Sequence, residues 1–205
     1  MYNIYFNDSQ LLLCTGREMN SHQQPNDLCV RYQGKVKQLH NFIDLLEKSP
    51  NVKRVILWDE DVKGMYGDFK GLFRFIRAAG GVVTADDKIA VIKRHGVWDL
   101  PKGKIETSEK KKPAARREIT EEIGLELLSI EDKLGSTYHV YRDRRDRRVL
   151  KKTHWYRFSG EMTVLTGQEE EGIEEALWMD ATEFAKKRPI YASIKRVVEW
   201  YLGDE

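Results

Sequence analysis

Three glutamates pose the chemical question for this chain. In Arg117-Glu118-Ile119-Thr120-Glu121-Glu122-Ile123-Gly124, Glu118 stands three and four positions before Glu121 and Glu122. Positions so spaced share one face of a helix, so the carboxylates crowd onto a single stripe. Like charges at that spacing destabilise a helix, and a bound divalent cation relieves the repulsion. Hard ions such as Mg²⁺ or Mn²⁺ favour carboxylate oxygen. The ordinary meaning of a glutamate run is a solvated acidic face.

The elements that would hold this stripe are readable around it. A helix from about Glu109 places Ala115, Ile119 and Ile123 on a neighbouring apolar stripe for docking on a core. Ser108 is the expected N-cap and Gly124 the terminator, while Pro113 requires a late or irregular first turn. Upstream, Trp98-Asp99-Leu100-Pro101-Lys102-Gly103 is an extended entry with a sharp turn at the glycine. Before it, residues 76–84 and Lys88–Arg94 read as two strands joined by the Asp86-Asp87 turn. Gly80 and Gly81 mark a place where a neighbour, the glutamate helix, comes close to the strand backbone. Downstream, Leu134–Tyr141 and Val149–Ser159 are strand-like. His154, Tyr156 and Phe158 share one face by period two, with Thr153, Trp155 and Arg157 on the other. His154 reads as a packed or hydrogen-bonded strand histidine. Asp180 opens a helix in capping-box style, and a last helix spans about Ile190 to Leu202.

The full spacing is more specific than a charge run. Gly103, five residues, Glu109, seven residues, Arg117-Glu118, an aliphatic, any residue, Glu121-Glu122, any residue, Gly124 and an aliphatic match every fixed position of the Nudix box. On that pattern the chain resembles the Nudix hydrolases over roughly residues 76 to 202. The resemblance implies an α/β fold, an α/β/α sandwich with a mixed sheet, and hydrolysis of a diphosphate linkage with Mg²⁺ or Mn²⁺ as cofactor. It implies Glu118, Glu121 and Glu122 as metal ligands and catalytic residues, with the backbone carbonyl of Lys102 joining the metal site. The proton acceptor is one of these carboxylates or a glutamate from 169 to 171. Arg117 is expected to hold the carboxylates by bidentate pairing, and Glu109 to orient Arg117 or the loop. The WxLPKG entry is similar to members acting on dinucleoside polyphosphates and on diphosphoinositol polyphosphates. Substrate contacts are expected from Lys102, Arg94, Tyr141 and Arg142. Tyr141 lies where enzymes acting on diadenosine polyphosphates carry a base-stacking tyrosine. The readings carried forward are a dinucleoside polyphosphate hydrolase, a diphosphoinositol polyphosphate or ADP-ribose hydrolase, and a non-catalytic ligand-sensing regulator.

Residues 1–70 lie outside the resemblance and are expected to form a separate small α/β domain, with residues 71–205 as the hydrolase. Asn3–Phe6, Leu11–Cys14, Leu28–Tyr32 and Val55–Trp58 are strand-like, and Gly16 reads as a turn. Val36, Leu39, Ile43 and Leu46 recur at helical spacing. Gly64–Gly67 reads as a junction, with Phe69, Leu72, Phe73 and Phe75 packing a seam between domains. Across 205 residues the net charge is only +2. Local charge is uneven: seven basic residues fall between Arg142 and Lys152, and five glutamates between Glu169 and Glu175. The basic run lacks interleaved aromatics and reads as a hairpin tip, so the expected partner is a small anionic phosphate compound rather than nucleic acid. No run approaches the ~20 apolar residues of a membrane span. The start lacks the basic and apolar regions of a signal peptide. Cys14 and Cys29 are too few for a disulfide framework. A reduced, cytoplasmic protein is expected, and a homodimer is compatible with the sequence.

Overall fold

The computed structural model describes residues 1–203. Contacts divide the chain into two units, Met1–Ile76 with Tyr138–Lys151, and Arg77–Thr137 with Lys152 onward. The sequence expectation of one cut near residue 70 did not include the second segment of the first unit.

In the first unit the chain runs β1 (Tyr2–Phe6), β2 (Ser9–Cys14), α1 (Gly16–His22), β3 (Leu28–Arg31), α2 (Val36–Lys48), β4 (Arg54–Trp58) and α3 (Val62–Lys70). β1 and β2 form an antiparallel hairpin, while β2 with β4 and β3 with β4 pair in parallel. Ile4–Phe6 pairs in parallel with Tyr138–Val140. α2 buries Leu39, Ile43 and Leu46 at the spacing its sequence announced. Two local readings are corrected. Gly16 opens a helix instead of a turn, because Thr15 and Glu18 close a reciprocal capping box around it. Gly64–Gly67 lies inside α3, which Asp61 caps through the Gly64 N–H. Phe69 and Phe73 are buried in the core of the first unit, with Leu72 and Phe75 packed against it.

The second unit is built on β5 (Arg74–Ala85), β6 (Lys88–Arg94), β7 (Val97–Asp99), β8 (Lys102–Lys104), α4 (Lys111–Ile123), β9 (Ser129–Arg142), β10 (Arg148–Ser159), β11 (Ile173–Met179), α5 (Ala181–Lys186) and α6 (Ala192–Leu202). The β5–β6 and β6–β7 hairpins turn on Asp86-Asp87 and His95-Gly96, all four residues at positive φ. Two consecutive positive φ angles match the right-handed strand twist and make such two-residue loops tight. β11 pairs antiparallel with β6, and β8 antiparallel with β5. Alternation then sorts side chains to two faces. Ala90, Ile92, Tyr156 and Phe158 meet Ala115, Ile119 and Ile123 of α4 on one side. Ile89, Val91 and Trp155 meet Phe184 of α5 and Ile194, Val197 and Val198 of α6 on the other. The result is a helix, mixed sheet, helix sandwich.

Candidate active site

α4 begins at Lys111, and Lys110 is its N-cap without a side-chain cap bond. Ser108 is not the cap: it sits at φ 66°, outside the helix. The late start leaves Pro113 in the first turn, where no N–H is needed. At the other end Gly124 takes φ 75° and closes the helix with its N–H on the Thr120 carbonyl.

Gly103 explains how α4 meets the strand before it. A Cβ at this position would overlap the Glu118 carboxylate, so the missing side chain is what lets that carboxylate lie against the backbone. Gly80 and Gly81 were expected to admit the helix; instead Gly80 faces Pro101 and Lys102, and Gly81 faces the Phe158 ring. Their close neighbours are the entry loop and β10.

Arg117 organises the outer side of the stripe. Its Nε and Nη2 grip both oxygens of Glu109 at 3.0 and 2.9 Å. Nη1 reaches Glu118 and Glu121, each at 2.8 Å, and Nη2 also donates to the Lys104 carbonyl. All five guanidinium N–H groups are thereby occupied. These acids push the Arg117 pKa up further, the Glu109 hydrogen bonds foremost. Glu118 is buried, and burial raises its pKa despite Arg117 beside it.

Glu122 lies deeper. A glutamate run ordinarily faces water, yet Glu122 is 1% exposed. One oxygen accepts the Lys102 backbone N–H at 2.8 Å, the other the Arg94 guanidinium at 3.3 Å. Burial pushes its carboxyl up to about 7 despite nearby Lys102 and Arg94. Arg94 also pairs with Glu171 at 2.8 Å, so it bridges the helix to the 3-10 turn Glu169–Glu171. That turn is fixed to α4 by the Gln168 N–H on the Glu122 carbonyl. The Lys102 side chain is buried and pairs with Asp99 at 2.6 Å. Asp99 was missed in the sequence because a single acid in a strand carries no spacing signal. Glu171 could be placed only within a run.

Tyr141 and Arg142 belong to the first unit. Tyr141 lines a small cleft with Phe6, Asn7 and Leu46, and Arg142 pairs with Glu47 and Asp146.

Among the described residues, no three acidic, histidine or cysteine side chains form a ready metal cage. The donor set nonetheless fits a hard divalent ion: carboxylate oxygens carried on one helix, one of them deeply buried with its negative charge undercompensated. Arginines hold these oxygens here.

The NUDIX domain family model matches residues 74–201. No curated protein matches the chain. Among solved structures, the E. coli dihydroneopterin triphosphate pyrophosphohydrolase is similar at 17% identity, covering 65% of this chain and 99% of that one, with a TM-score of 0.52. A C. elegans Ap4A hydrolase binary complex is similar at 18% identity, covering 62% and 96%, with a TM-score of 0.50. The NUDIX domain of Shewanella oneidensis NrtR complexed with ADP ribose is similar at 18% identity, covering 64% and 87%, also with a TM-score of 0.50. At these identities the likeness speaks for the fold alone.

Proposed function

This chain belongs to the Nudix family of pyrophosphohydrolases, and we propose that Glu118, Glu121 and Glu122 hold the divalent cation with which it hydrolyses a nucleoside polyphosphate. The single observation carrying this is the Arg117 clamp, which spends four of its five N–H donors on Glu109, Glu118 and Glu121 and the fifth on the Lys104 carbonyl. A guanidinium so engaged has nothing left for substrate, so its work is to keep repelling carboxylates together. When bound, a divalent ion offsets phosphate charge and lowers the pKa of water. The chain's own part is orientation. The Lys102 backbone N–H fixes one Glu122 oxygen, Asp99 holds the Lys102 side chain back, and Arg94 sets Glu171 beside Glu122. Glu171, only partly covered, is the carboxylate outside the helix available to take the proton from attacking water.

A dinucleoside polyphosphate remains the substrate of this reading, supported by the WxLPKG entry and by the fold shared with a protein named as an Ap4A hydrolase. Lys102 and Arg142, assigned to phosphate from sequence, are both engaged with acids. The test is a hydrolysis panel with Mg²⁺ or Mn²⁺ covering dinucleoside polyphosphates, nucleoside triphosphates, ADP-ribose and inositol pyrophosphates. Dinucleoside polyphosphates should give the highest kcat/KM; preference for another member corrects the substrate, and no hydrolysis of any refutes the reading.

A further inference from the structure

The amino end of α4 carries a feature that the carboxylate site does not use. Its first turn follows Lys110-Lys111-Lys112-Pro113 and contains no acid. Positive charge there opposes the helix dipole, and without a side-chain cap the backbone N–H groups of Lys111 and Lys112 stay open. The same turn lines an open cleft of about 580 Å³ with Arg77, Glu109 and Tyr156. Among the described residues, Arg77, Lys110, Lys111 and Lys112 make no ion pair. The one acid in the lining, Glu109, has both oxygens on Arg117. The cleft therefore carries uncompensated positive charge.

Two buried side chains make it more than a helix end. Tyr156 is 4% exposed, lines the cleft, and its hydroxyl has no hydrogen-bond partner among the described residues. His154, two positions earlier on the same strand, is buried against Ser136 at 3.0 Å. Burial, with the charges of Lys111, Lys152, Lys133 and Arg77, pushes its pKa down to about 4. Burial is the larger cause, and the cations around the imidazole act in the same direction.

We propose that this cleft binds a multiply charged phosphate anion, held by Arg77 and the lysines of the first helical turn, with the Tyr156 hydroxyl donating to one of its oxygens. The donors here are guanidinium, ammonium, backbone N–H and phenol, and a neutral or cationic ligand would leave them unmatched. Two sources share this chemistry. The anion is either the distal phosphates of the substrate, which rests on the Nudix reading above, or a free polyphosphate acting as an effector.

The test is calorimetric titration of the full chain, in EDTA, with inorganic tripolyphosphate. The wild type should bind saturably. The combined variant Arg77→Gln, Lys111→Gln, Lys112→Gln should weaken Kd at least 10-fold, and Tyr156→Phe about 3-fold, with both still folded by circular dichroism. A control of equal charge change, Lys37→Gln, Lys53→Gln, Lys63→Gln, should bind within 2-fold of wild type. No binding by the wild type overturns the site, as does equal weakening by the two triple variants, which would mean general charge attraction. Turnover separates the sources. Competitive inhibition by tripolyphosphate with a raised KM in the Arg77 triple variant identifies substrate phosphates; noncompetitive inhibition with unchanged KM identifies an effector. Binding is read without metal or turnover, so loss of the hydrolase reading would leave this site standing or falling by itself.

Discussion

Two basic regions of this chain look alike in sequence and have opposite surroundings. In the turn from Arg142 to Arg148, three of the five arginines meet acids: Arg142 and Arg148 pair with Glu47, Arg148 also with Asp44, and Arg147 with Asp143. Lys110 to Lys112 meet none among the described residues. By composition the arginine run is the larger feature and the better candidate for phosphate. The structure reverses that order, because Glu47, which neutralises two of these arginines, sits on α2, 95 and 101 positions away. A run of like charge is defined by what the fold brings to it. The arginines tie a hairpin to a helix; the lysines leave charge to be met by something else.

The largest effect belongs to the undercompensated anion at the other end of α4. Glu122→Gln keeps the shape and removes the charge, and kcat with Mg²⁺ or Mn²⁺ should fall about 100-fold or more. Near-normal turnover would sink the assignment of Glu122. Without metal the same variant should be more stable. The folded pKa, about 7, lies above the ordinary value of 4.5. The contribution of Glu122 to stability is therefore full at acid pH and lost as pH rises through 7. Melting in EDTA at pH 5 and pH 8 should show the advantage of the variant growing toward pH 8.

Next in size is the arginine staple. Glu47→Ala leaves Arg148, whose guanidinium is only partly wet, with Asp44 as its remaining acid, and should cost about 1–2 kcal/mol by urea unfolding, less than a fully buried pair. Lys111→Gln with Lys112→Gln should cost nothing and slightly stabilise the helix. Equal losses from the two changes would erase the contrast between compensated and uncompensated charge.

The parts legible in the sequence were those with local periodicity. α2, the β5–β6 hairpin, the two faces of β10 and the end of α4 at Gly124 all follow from spacing, turn residues and a terminal glycine. α1 carried its capping box in Thr15-Gly16-Arg17-Glu18, but the glycine was weighted as a turn. The stripe of Glu118, Glu121 and Glu122 was plain; its depth was not. Whether a helical glutamate faces water depends on what packs over it, and Glu122 is covered by the Lys102 backbone, which no helical period reveals. Asp99 and the Arg94–Glu171 bridge depend likewise on strands brought together by pairing.

His154 offers a smaller, pH-dependent reading of the lysine end. Its folded pKa, near 4, lies below the ordinary value of 6.5, so its contribution is full above 6.5 and lost as pH falls through 4. Allowing for partial solvation, the loss should reach about 1–2 kcal/mol at the acid end. Denaturant unfolding at pH 7 and pH 4.5 checks it. His154→Gln should flatten the difference relative to wild type, because glutamine keeps a polar partner for Ser136 and does not titrate. An unchanged slope would mean that neither burial nor these cations hold His154 neutral in the folded protein.

The smallest effect concerns the cap itself. Lys110 occupies the N-cap in extended backbone, φ −82° and ψ 150°, and makes no side-chain cap bond. That is the geometry in which an aspartate accepts from the N–H groups of the first turn, and its charge suits the helix dipole. Lys110→Asp should therefore stabilise the free protein by about 0.5–1 kcal/mol, read by thermal melting in low salt. The same carboxylate would stand where the proposed anion binds. Tripolyphosphate should raise the Tm of the wild type and leave the capped variant nearly unmoved. A variant that gains stability and still responds fully to tripolyphosphate would place the anion somewhere other than the amino end of α4.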